Sequence, residues 1–174
     1  MTLAELNATD RAGFTTALGH LFEHSPWVAE QTWDRRRFRD AAHLHAELCG
    51  AMLAAPAERQ LALIRAHPDL AGRMARQKQL TAESNREQAS AGLDQLTEAE
   101  LAEFTRLNAA YRDKFGFPFV ICARLNAKAA ILAAMQARLA HDPATEQAAA
   151  LAEIGRIAWL RLQDSLNSTT DDHR

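Results

Sequence analysis

The stretch TEAELAEFTRLNAAYRDKFG, Thr97–Gly116, is the strongest structural signal in the chain. Thr97 and Glu100 match a capping box, in which each side chain accepts the backbone N–H of the other residue where a helix begins. Apolar residues then recur at helical spacing, at Leu101, Phe104, Leu107, Tyr111 and Phe115. Gly116 can end the helix, because glycine readily takes the left-handed conformation found at helix C-termini. The stretch therefore predicts a long helix with one apolar face.

Helical periodicity continues on both sides of this stretch. Further helices are predicted to begin at Asp10 (running to Phe22), Ser25–Pro26, Asp40, Pro56, Asn126 and Asp142–Pro143 (running to about Leu166). The exception is FGFPFVIC, residues 115–122, which has strand propensity but no partner strand elsewhere, so we predict an extended linker entering the next helix. The chain thus predicts an all-α fold, a single domain over residues 1–174. We expect a bundle of about eight helices with a polar C-terminal tail from about residue 167.

The composition is that of an ordinary soluble domain, with 48% hydrophobic and 24% charged residues. A formal net charge of −2 argues against a general nucleic-acid binder, which usually carries a basic excess. No apolar stretch approaches the ~18 residues of a membrane span, and the N-terminus does not resemble a signal peptide. Cys49 and Cys122 lack a paired spacing, and His20 with His24 lack a third ligand, so neither a disulfide nor a metal site is expected. These features predict a cytoplasmic protein.

The first candidate for chemistry is the polar island AHPDLAG, residues 66–72. His67 stands directly before Pro68, where a helix is expected to stop because the residue before proline avoids the helical conformation. The helix dipole favours the charged form of an imidazole near a helix C-terminus, which suits a proton donor. The alternative is that His67 is only a surface residue at a helix end.

The second polar island is SNREQ, residues 84–88. Ser84, Glu87, Gln88 and Ala91 stand at i, i+3, i+4 and i+7, which places them on one face of a helix. A polar face lined with hydrogen-bonding groups indicates a site, whereas a core would have leucines there. Ser84 and Glu87 also match a capping box, so Glu87 has a structural alternative. Gln88 extends the polar face although no cap requires it.

Arg161 falls among the apolar residues of the last predicted helix, near Ile154, whereas Glu153 falls on the solvent side. A buried arginine needs an anionic partner, because an unpaired buried charge is costly. That partner is either structural, for instance Asp69 or Glu87, or a substrate carboxylate. The planar guanidinium suits both.

The segment Pro118–Cys122 offers backbone amides just before a predicted helix. Such amides can hold a carbonyl or urea-like group. The alternative is that this apolar segment serves only to pack the core.

Four pieces of sequence, in order, carry a family resemblance: His67–Ala71, Ser84–Gln88, Phe115–Ile121 and Glu153–Leu162. Together they resemble the 2-oxo-4-hydroxy-4-carboxy-5-ureidoimidazoline (OHCU) decarboxylase family of urate degradation. The resemblance extends over nearly the whole chain and is weakest at its two ends. It implies an all-α fold and the stand-alone form, without the transthyretin-like hydrolase domain fused in some relatives. It further implies conversion of OHCU, a small molecule, to (S)-allantoin and CO2 with no cofactor, as part of purine metabolism.

The resemblance also implies roles for individual residues. His67 is expected to be the acid–base residue and Glu87 its catalytic partner. The residues expected to line the substrate pocket are Pro68, Ser84, Asn85, Arg86, Glu87, Gln88, Phe119, Val120, Ile121, Cys122 and Ala123. Arg161 is expected to bind an anionic or carbonyl group of the substrate. Imidazole suits proton transfer in both directions near neutral pH, because its unperturbed pKa is about 6.5.

Two other functions stay open at this point. One is a non-enzymatic α-helical binding module that uses a groove for a partner helix. The other is a related cofactor-free lyase or isomerase that acts on another ureido or imidazolone compound. Trp27 and Trp33, taken as exposed aromatic residues, could form the interface of a homodimer.

Overall fold

The structure, a computed structural model, describes residues 1–72 and 80–167. These residues form nine α-helices and three short 3-10 helices, and they contain no strand. The α-helices are α1 (Leu3–Ala8), α2 (Arg11–Leu18), α3 (Trp27–Thr32), α4 (Ala41–Ala54), α5 (Ala57–Ala66), α6 (Ala82–Ser90), α7 (Glu98–Phe115), α8 (Lys128–Arg138) and α9 (Pro143–Asn167). The 3-10 helices are Gly19–Leu21, Trp33–Arg35 and Ala123–Leu125. The all-α prediction is confirmed, with nine α-helices in the described residues where about eight were expected. The predicted polar tail lies outside the described residues.

The described residues divide into two compact units. The first unit comprises residues 1–66 and 155–167, and in it α3 packs against both α2 and α4. Its fully buried side chains include Leu6, Phe14, Leu44, Leu48, Leu63 and Leu162. The second unit comprises residues 67–72 and 80–154, and in it α7 packs against α8. Its fully buried side chains include Phe104, Tyr111, Phe119, Ile131 and Met135. The single-domain organisation of the chain stays a prediction.

The predicted helix ends are mostly confirmed. Asp10 caps α2 through the N–H of Gly13, and Asp40 caps α4, each with a carboxylate 2.7 Å from the backbone nitrogen. Thr97 and Glu100 form the expected reciprocal capping box at the start of α7. Gly116 ends α7 with a φ of 71°, in the left-handed region that glycine takes without strain.

Three predicted helix boundaries are wrong. The helix predicted to begin at Ser25–Pro26 begins at Trp27, after Pro26, and no side chain caps it. Asn126 does not open α8, which begins two residues later, since its side chain donates instead to the carbonyl of Cys122. The helix from Asp10 ends at Leu18 rather than Phe22, because the chain tightens into a 3-10 turn there.

The two tryptophans proposed for a homodimer interface are half-buried rather than exposed. The guanidinium carbon of Arg59 lies 5.1 Å from the ring centroid of Trp27. The guanidinium carbons of Arg36 and Arg11 lie 3.4 Å and 4.9 Å from the ring centroid of Trp33. Cation–π pairing therefore covers both rings within the chain. The homodimer itself stays a prediction.

Three further features concern the described residues. No described helix combines the length and the apolar character that crossing a membrane would require. Cys49 and Cys122 are both free thiols. Within residues 1–72 and 80–167, no group of three or more His, Cys, Asp or Glu side chains is arranged to hold a metal ion.

Candidate active site

His67 lies immediately after α5, at the start of a tight turn that we call the histidine turn (residues 67–72). The helix stops before Pro68 as predicted. His67 is only 7% exposed, so the interpretation of a merely surface histidine is wrong. The turn closes with the N–H of Gly72 donating to the carbonyl of Asp69 at 3.3 Å. Ala71 has a φ of 52°, a conformation that costs a non-glycine residue about 1–2 kcal/mol.

Two buried amide side chains hold the histidine turn. The Oε1 atom of Gln88 accepts the N–H of Ala71 at 3.0 Å, and the Nδ2 atom of Asn108 donates to the carbonyl of Leu70 at 2.9 Å. The polarity of the backbone groups fixes both amide orientations, since an N–H needs an oxygen and a carbonyl needs an N–H. The other ends of the two amides, Gln88 Nε2 and Asn108 Oδ1, are buried without a partner among the described residues. We call the side chains of Gln88 and Asn108 the clamp. Among the described residues, one donor of the clamp and one acceptor have no hydrogen-bond partner.

The face of α6 that the sequence predicted is present. Ser84 and Gln88 are 5% and 6% exposed, Ala91 is buried and Glu87 is half-buried. The helix begins earlier than the capping-box alternative requires, because the hydroxyl of Thr81 accepts the N–H of Ser84 at 3.3 Å. Ser84 is therefore the third residue of the helix and not its cap. Glu87 does not belong to a capping box.

Two other residues of the predicted pocket lie on different sides of α6. The Nδ2 atom of Asn85 donates to the carbonyl of Leu80 at 3.3 Å, within the lead-in to the helix. The side chain of Arg86 is 77% exposed, 3.7 Å from the carboxylate of Glu83. Pro68 is half-buried in the histidine turn.

The linker segment, residues 117–122, has neither helix nor strand, as predicted, and leads into the 3-10 helix Ala123–Leu125. Its residues and Ala123 are buried. The ring of Phe119 packs edge-on against Tyr111, with 5.3 Å between centroids, so this side chain serves the core. The N–H of Cys122 donates to Glu153 at 2.9 Å, and the carbonyl of Val120 accepts from Arg138 at 2.9 Å.

The structure brings the three predicted segments together within the second unit. The clamp joins α6 to the histidine turn, and α6 also packs against the 3-10 helix Ala123–Leu125. Burial raises the pKa of the Cys122 thiol, and the negative charges of Glu153 and Glu87 raise it further. Glu87 thus acts electrostatically on the linker segment. An imidazole, a carboxylate and unused amide groups are therefore assembled in this unit.

Arg161 lies in the first unit and is 4% exposed. Both of its terminal nitrogens lie 3.2 Å from Oε2 of Glu23, which is equally buried, and Nη1 also donates to the carbonyl of His20. The prediction of an anionic partner is confirmed. Glu23, however, was not among the structural partners suggested. Asp69, which was suggested, has its carboxylate 2.9 Å from Nε of Arg112.

Several residues around these groups were missed by the sequence interpretation. Asn108 carried no signal beyond a polar position near the apolar face of α7. Glu153 was placed on the solvent side of the last helix, yet it is half-buried and binds the linker segment. The guanidinium of Arg138 donates to the buried carboxyl of Glu146, a contact that local sequence could have suggested only as a surface pair.

The fold and these groups define an all-α protein that carries a buried histidine at a helix end, with the carboxylate and amide groups that acid–base chemistry uses. The model of the family described as OHCU decarboxylase matches residues 7–163. This match covers most of the chain, and the chain belongs to the OHCU decarboxylase family.

Individual relatives agree with this assignment. The 2-oxo-4-hydroxy-4-carboxy-5-ureidoimidazoline decarboxylase of Haloferax volcanii is 42% identical over 168 residues, which are 97% of this chain and 98% of that protein. The protein of the same name from Amia calva is 41% identical over 164 residues, 94% of each chain. A crystal structure of (S)-allantoin synthase superimposes on this chain with a TM-score of 0.77 at 31% identity. The match covers 95% of this chain and 54% of the chain in that crystal structure. This chain therefore spans about half of that protein. A crystal structure of OHCU decarboxylase in the presence of (S)-allantoin, 21% identical with a TM-score of 0.69, supports the fold; it covers 91% of this chain and 99% of that chain.

Proposed function

We propose that this protein is a decarboxylase that converts OHCU to (S)-allantoin and CO2 in the cytoplasm, as a step of urate degradation. The observation that carries the proposal is the near-complete match to proteins named for this decarboxylation, at 41–42% identity. The buried His67 and the polar face of α6 support it, because they supply acid–base and hydrogen-bonding groups in one unit.

The substrate supplies its own electron sink. The bond between the ring carbon and the carboxylate breaks, CO2 leaves, and its electron pair forms a ring C=C. The π pair of the adjacent C=N moves onto its nitrogen, which takes up one proton from solvent. The hydroxyl on the same ring carbon then loses its proton as a ring carbonyl forms, and a proton is added to the neighbouring carbon. This chemistry needs no external electron acceptor, so exhaustive treatment with a chelator is expected to leave the rate unchanged.

His67 is proposed to move these protons. Its imidazole can take the hydroxyl proton and can deliver one to a single face of the neighbouring carbon, which sets the (S) configuration. Positioned proton transfer of this kind typically contributes ~10²–10⁴-fold to the rate. Glu87 is proposed to fix the tautomer of the imidazole or to hold the ureido N–H groups.

Substrate binding is proposed to use the groups that the fold leaves unused. The Nε2 atom of Gln88 can donate to a substrate oxygen. Backbone N–H groups of the linker segment are proposed to do the same, except that of Cys122, which donates to Glu153. The role of Arg161 toward an anionic or carbonyl group of the substrate stays a prediction, since Glu23 already holds its guanidinium in the first unit.

The experiment that tests the proposal follows circular dichroism on OHCU generated in place from urate by urate oxidase and hydroxyisourate hydrolase. The wild-type protein is expected to produce an (S)-allantoin signal faster than the spontaneous decay to racemate. His67→Asn keeps a hydrogen-bonding side chain but cannot transfer protons, and it should lower kcat at least ~10²-fold.

His24→Asn is the matched control, because His24 is 71% exposed and its positive φ of 45° suits asparagine. Unchanged decay with folded wild-type protein would contradict the proposal and favour a lyase or isomerase of another ureido or imidazolone compound, or a binding module. Full stereospecific turnover by folded His67→Asn would remove His67 from its role.

A further inference from the structure

Arg138 lies at the centre of a network in the second unit that the proposed reaction does not use. Its Nη1 atom donates to the carbonyl of Val120 at 2.9 Å, and its Nε atom donates to Oε1 of Glu146 at 3.0 Å. The Nη2 atom contacts the same oxygen. The guanidinium also stacks over the ring of Phe119, 4.4 Å from its centroid. Two of its contacts, to Val120 and Phe119, are therefore to the linker segment.

Glu146 fixes Arg138 from the opposite side. Its side chain is fully buried, and its second oxygen lies 2.8 Å from Nδ1 of His141. A buried carboxyl is costly unless it is fully hydrogen-bonded, so the network is a specific arrangement rather than an incidental surface pair. The guanidinium therefore presents Nη1 to Val120 in one orientation.

The planarity of the peptide group carries this orientation to the next residue. The carbonyl of Val120 and the N–H of Ile121 belong to one trans peptide plane and point in opposite directions. Since Arg138 holds the carbonyl, the N–H of Ile121 points away from Arg138. By the same argument the carbonyl of Ile121 points away from Glu153, which holds the N–H of Cys122. Within the described residues, nothing accepts the N–H of Ile121 or donates to its carbonyl.

We propose that Arg138, anchored by Glu146, and Glu153 are positioning residues that orient the two peptide groups flanking Ile121 toward the substrate. The donor and the acceptor left at Ile121 fit a planar group that carries a C=O and an N–H side by side, as a ureido group or a ring amide does. The inference rests on the proposed function, because it takes the linker segment as part of the substrate site.

Two variants with conservative partners test the inference in the full-length protein. Arg138→Lys keeps the charge near Glu146, but one ammonium cannot replace the fork that joins Glu146 and Val120. Arg138→Lys should raise KM about tenfold and should change kcat less. The reason is that losing one or two oriented hydrogen bonds weakens binding of the ground state and of the transition state alike. Glu153→Met should raise KM similarly, whereas Glu153→Gln keeps an acceptor for the N–H of Cys122 and should stay within about twofold of wild type.

Arg106→Lys is the control for Arg138→Lys, since Arg106 pairs with Glu103 on the exposed side of α7. Among the described residues it has no hydrogen bond to the linker segment. Hydrogen exchange at the amide of Ile121 gives a second readout that needs no substrate. It should accelerate in Arg138→Lys and Glu153→Met and stay unchanged in Glu153→Gln and Arg106→Lys.

Unchanged KM in folded Arg138→Lys and Glu153→Met overturns the inference, and so does a KM change without faster exchange at Ile121. An inactive wild-type protein would instead defeat the proposed function. The exchange measurement then still decides whether Arg138 and Glu153 position Ile121.

Discussion

The Oε1 atom of Gln88 accepts the N–H of Ala71 across 17 positions of sequence, in a buried bond of 3.0 Å. Ala71 is the residue of the histidine turn with a positive φ. The bond therefore holds the strained point of the turn against α6, and Asn108 holds the preceding carbonyl from α7. His67, four positions earlier, depends on a turn that is fixed from two helices.

Gln88→Met tests this clamp. Methionine has nearly the same length but cannot accept the N–H of Ala71, and an unsatisfied buried donor costs about 1–3 kcal/mol. We expect the free energy of unfolding in urea to fall by that amount and kcat to fall as the histidine turn relaxes. Gln95→Met is the control, because the side chain of Gln95 is exposed. Equal stability of the two variants would contradict the clamp.

The buried pair of Glu23 and Arg161 leads to a second prediction. Glu23→Ala leaves the guanidinium buried without its carboxylate, and breaking such a pair costs about 3–5 kcal/mol. The double variant Glu23→Leu with Arg161→Met should be less destabilised than Glu23→Ala, because no buried charge remains. Urea unfolding measures both.

Asp34→Ala provides the comparison for that pair, since Asp34 and Arg11 form an exposed ion pair at 2.7 Å. Exposed pairs contribute about 0–1 kcal/mol, so this variant should stay close to wild type. A Glu23→Ala protein that is as stable as Asp34→Ala would show that the buried pair is not structural.

The sequence predicted the local parts of the fold well, because caps and apolar periodicity act over a few residues. The reciprocal cap of Thr97 and Glu100 and the left-handed Gly116 are examples. Prediction failed where two local signals competed. Both Ser84 and Thr81 can cap a helix. The hydroxyl of Thr81 is the one that accepts a helix N–H, and α6 therefore begins earlier than the motif at Ser84 suggested.

Long-range partners were the part that sequence could not supply. The apolar surroundings of Arg161 required a carboxylate, but the one present, Glu23, is 138 positions away. Glu153 was assigned to solvent from helical periodicity alone, and only the path of the linker segment brings a backbone N–H to it. Candidate site residues could therefore be named, while the residues that hold them in place could not.

The pKa of the Cys122 thiol depends on the negative charge of Glu87. Burial raises its pKa most, and the charges of Glu153 and Glu87 add to the effect, whereas burial alone raises the pKa of Cys49. Glu87→Gln removes one negative charge, so thiolate formation at Cys122 becomes easier and its pKa should fall, while that of Cys49 should not move. NMR titration of the cysteine Cβ signals measures both thiols in one sample. A Cys122 titration that is identical in Glu87→Gln and wild type would show that Glu87 does not act on the linker segment.

Glu146 predicts how stability depends on pH. Burial raises the pKa of its carboxyl from the ordinary 4.5 to about 8. Between these values the folded protein binds more protons than the unfolded chain, so this group makes stability fall as pH rises from about 4.5 to about 8. Glu146→Gln does not titrate, and the stability of wild type relative to this variant should therefore decline over that range. Urea unfolding at a series of pH values gives the difference.

The groups that face Glu146 in the network are Arg138 and His141. Arg138 stays charged throughout this range. Because His141 is a second ionisable group beside the carboxyl, the comparison is repeated with His141→Asn in both proteins, and the decline should persist. A difference that stays flat from about pH 5 to 8 would mean that Arg138 keeps the carboxyl ionised despite its burial.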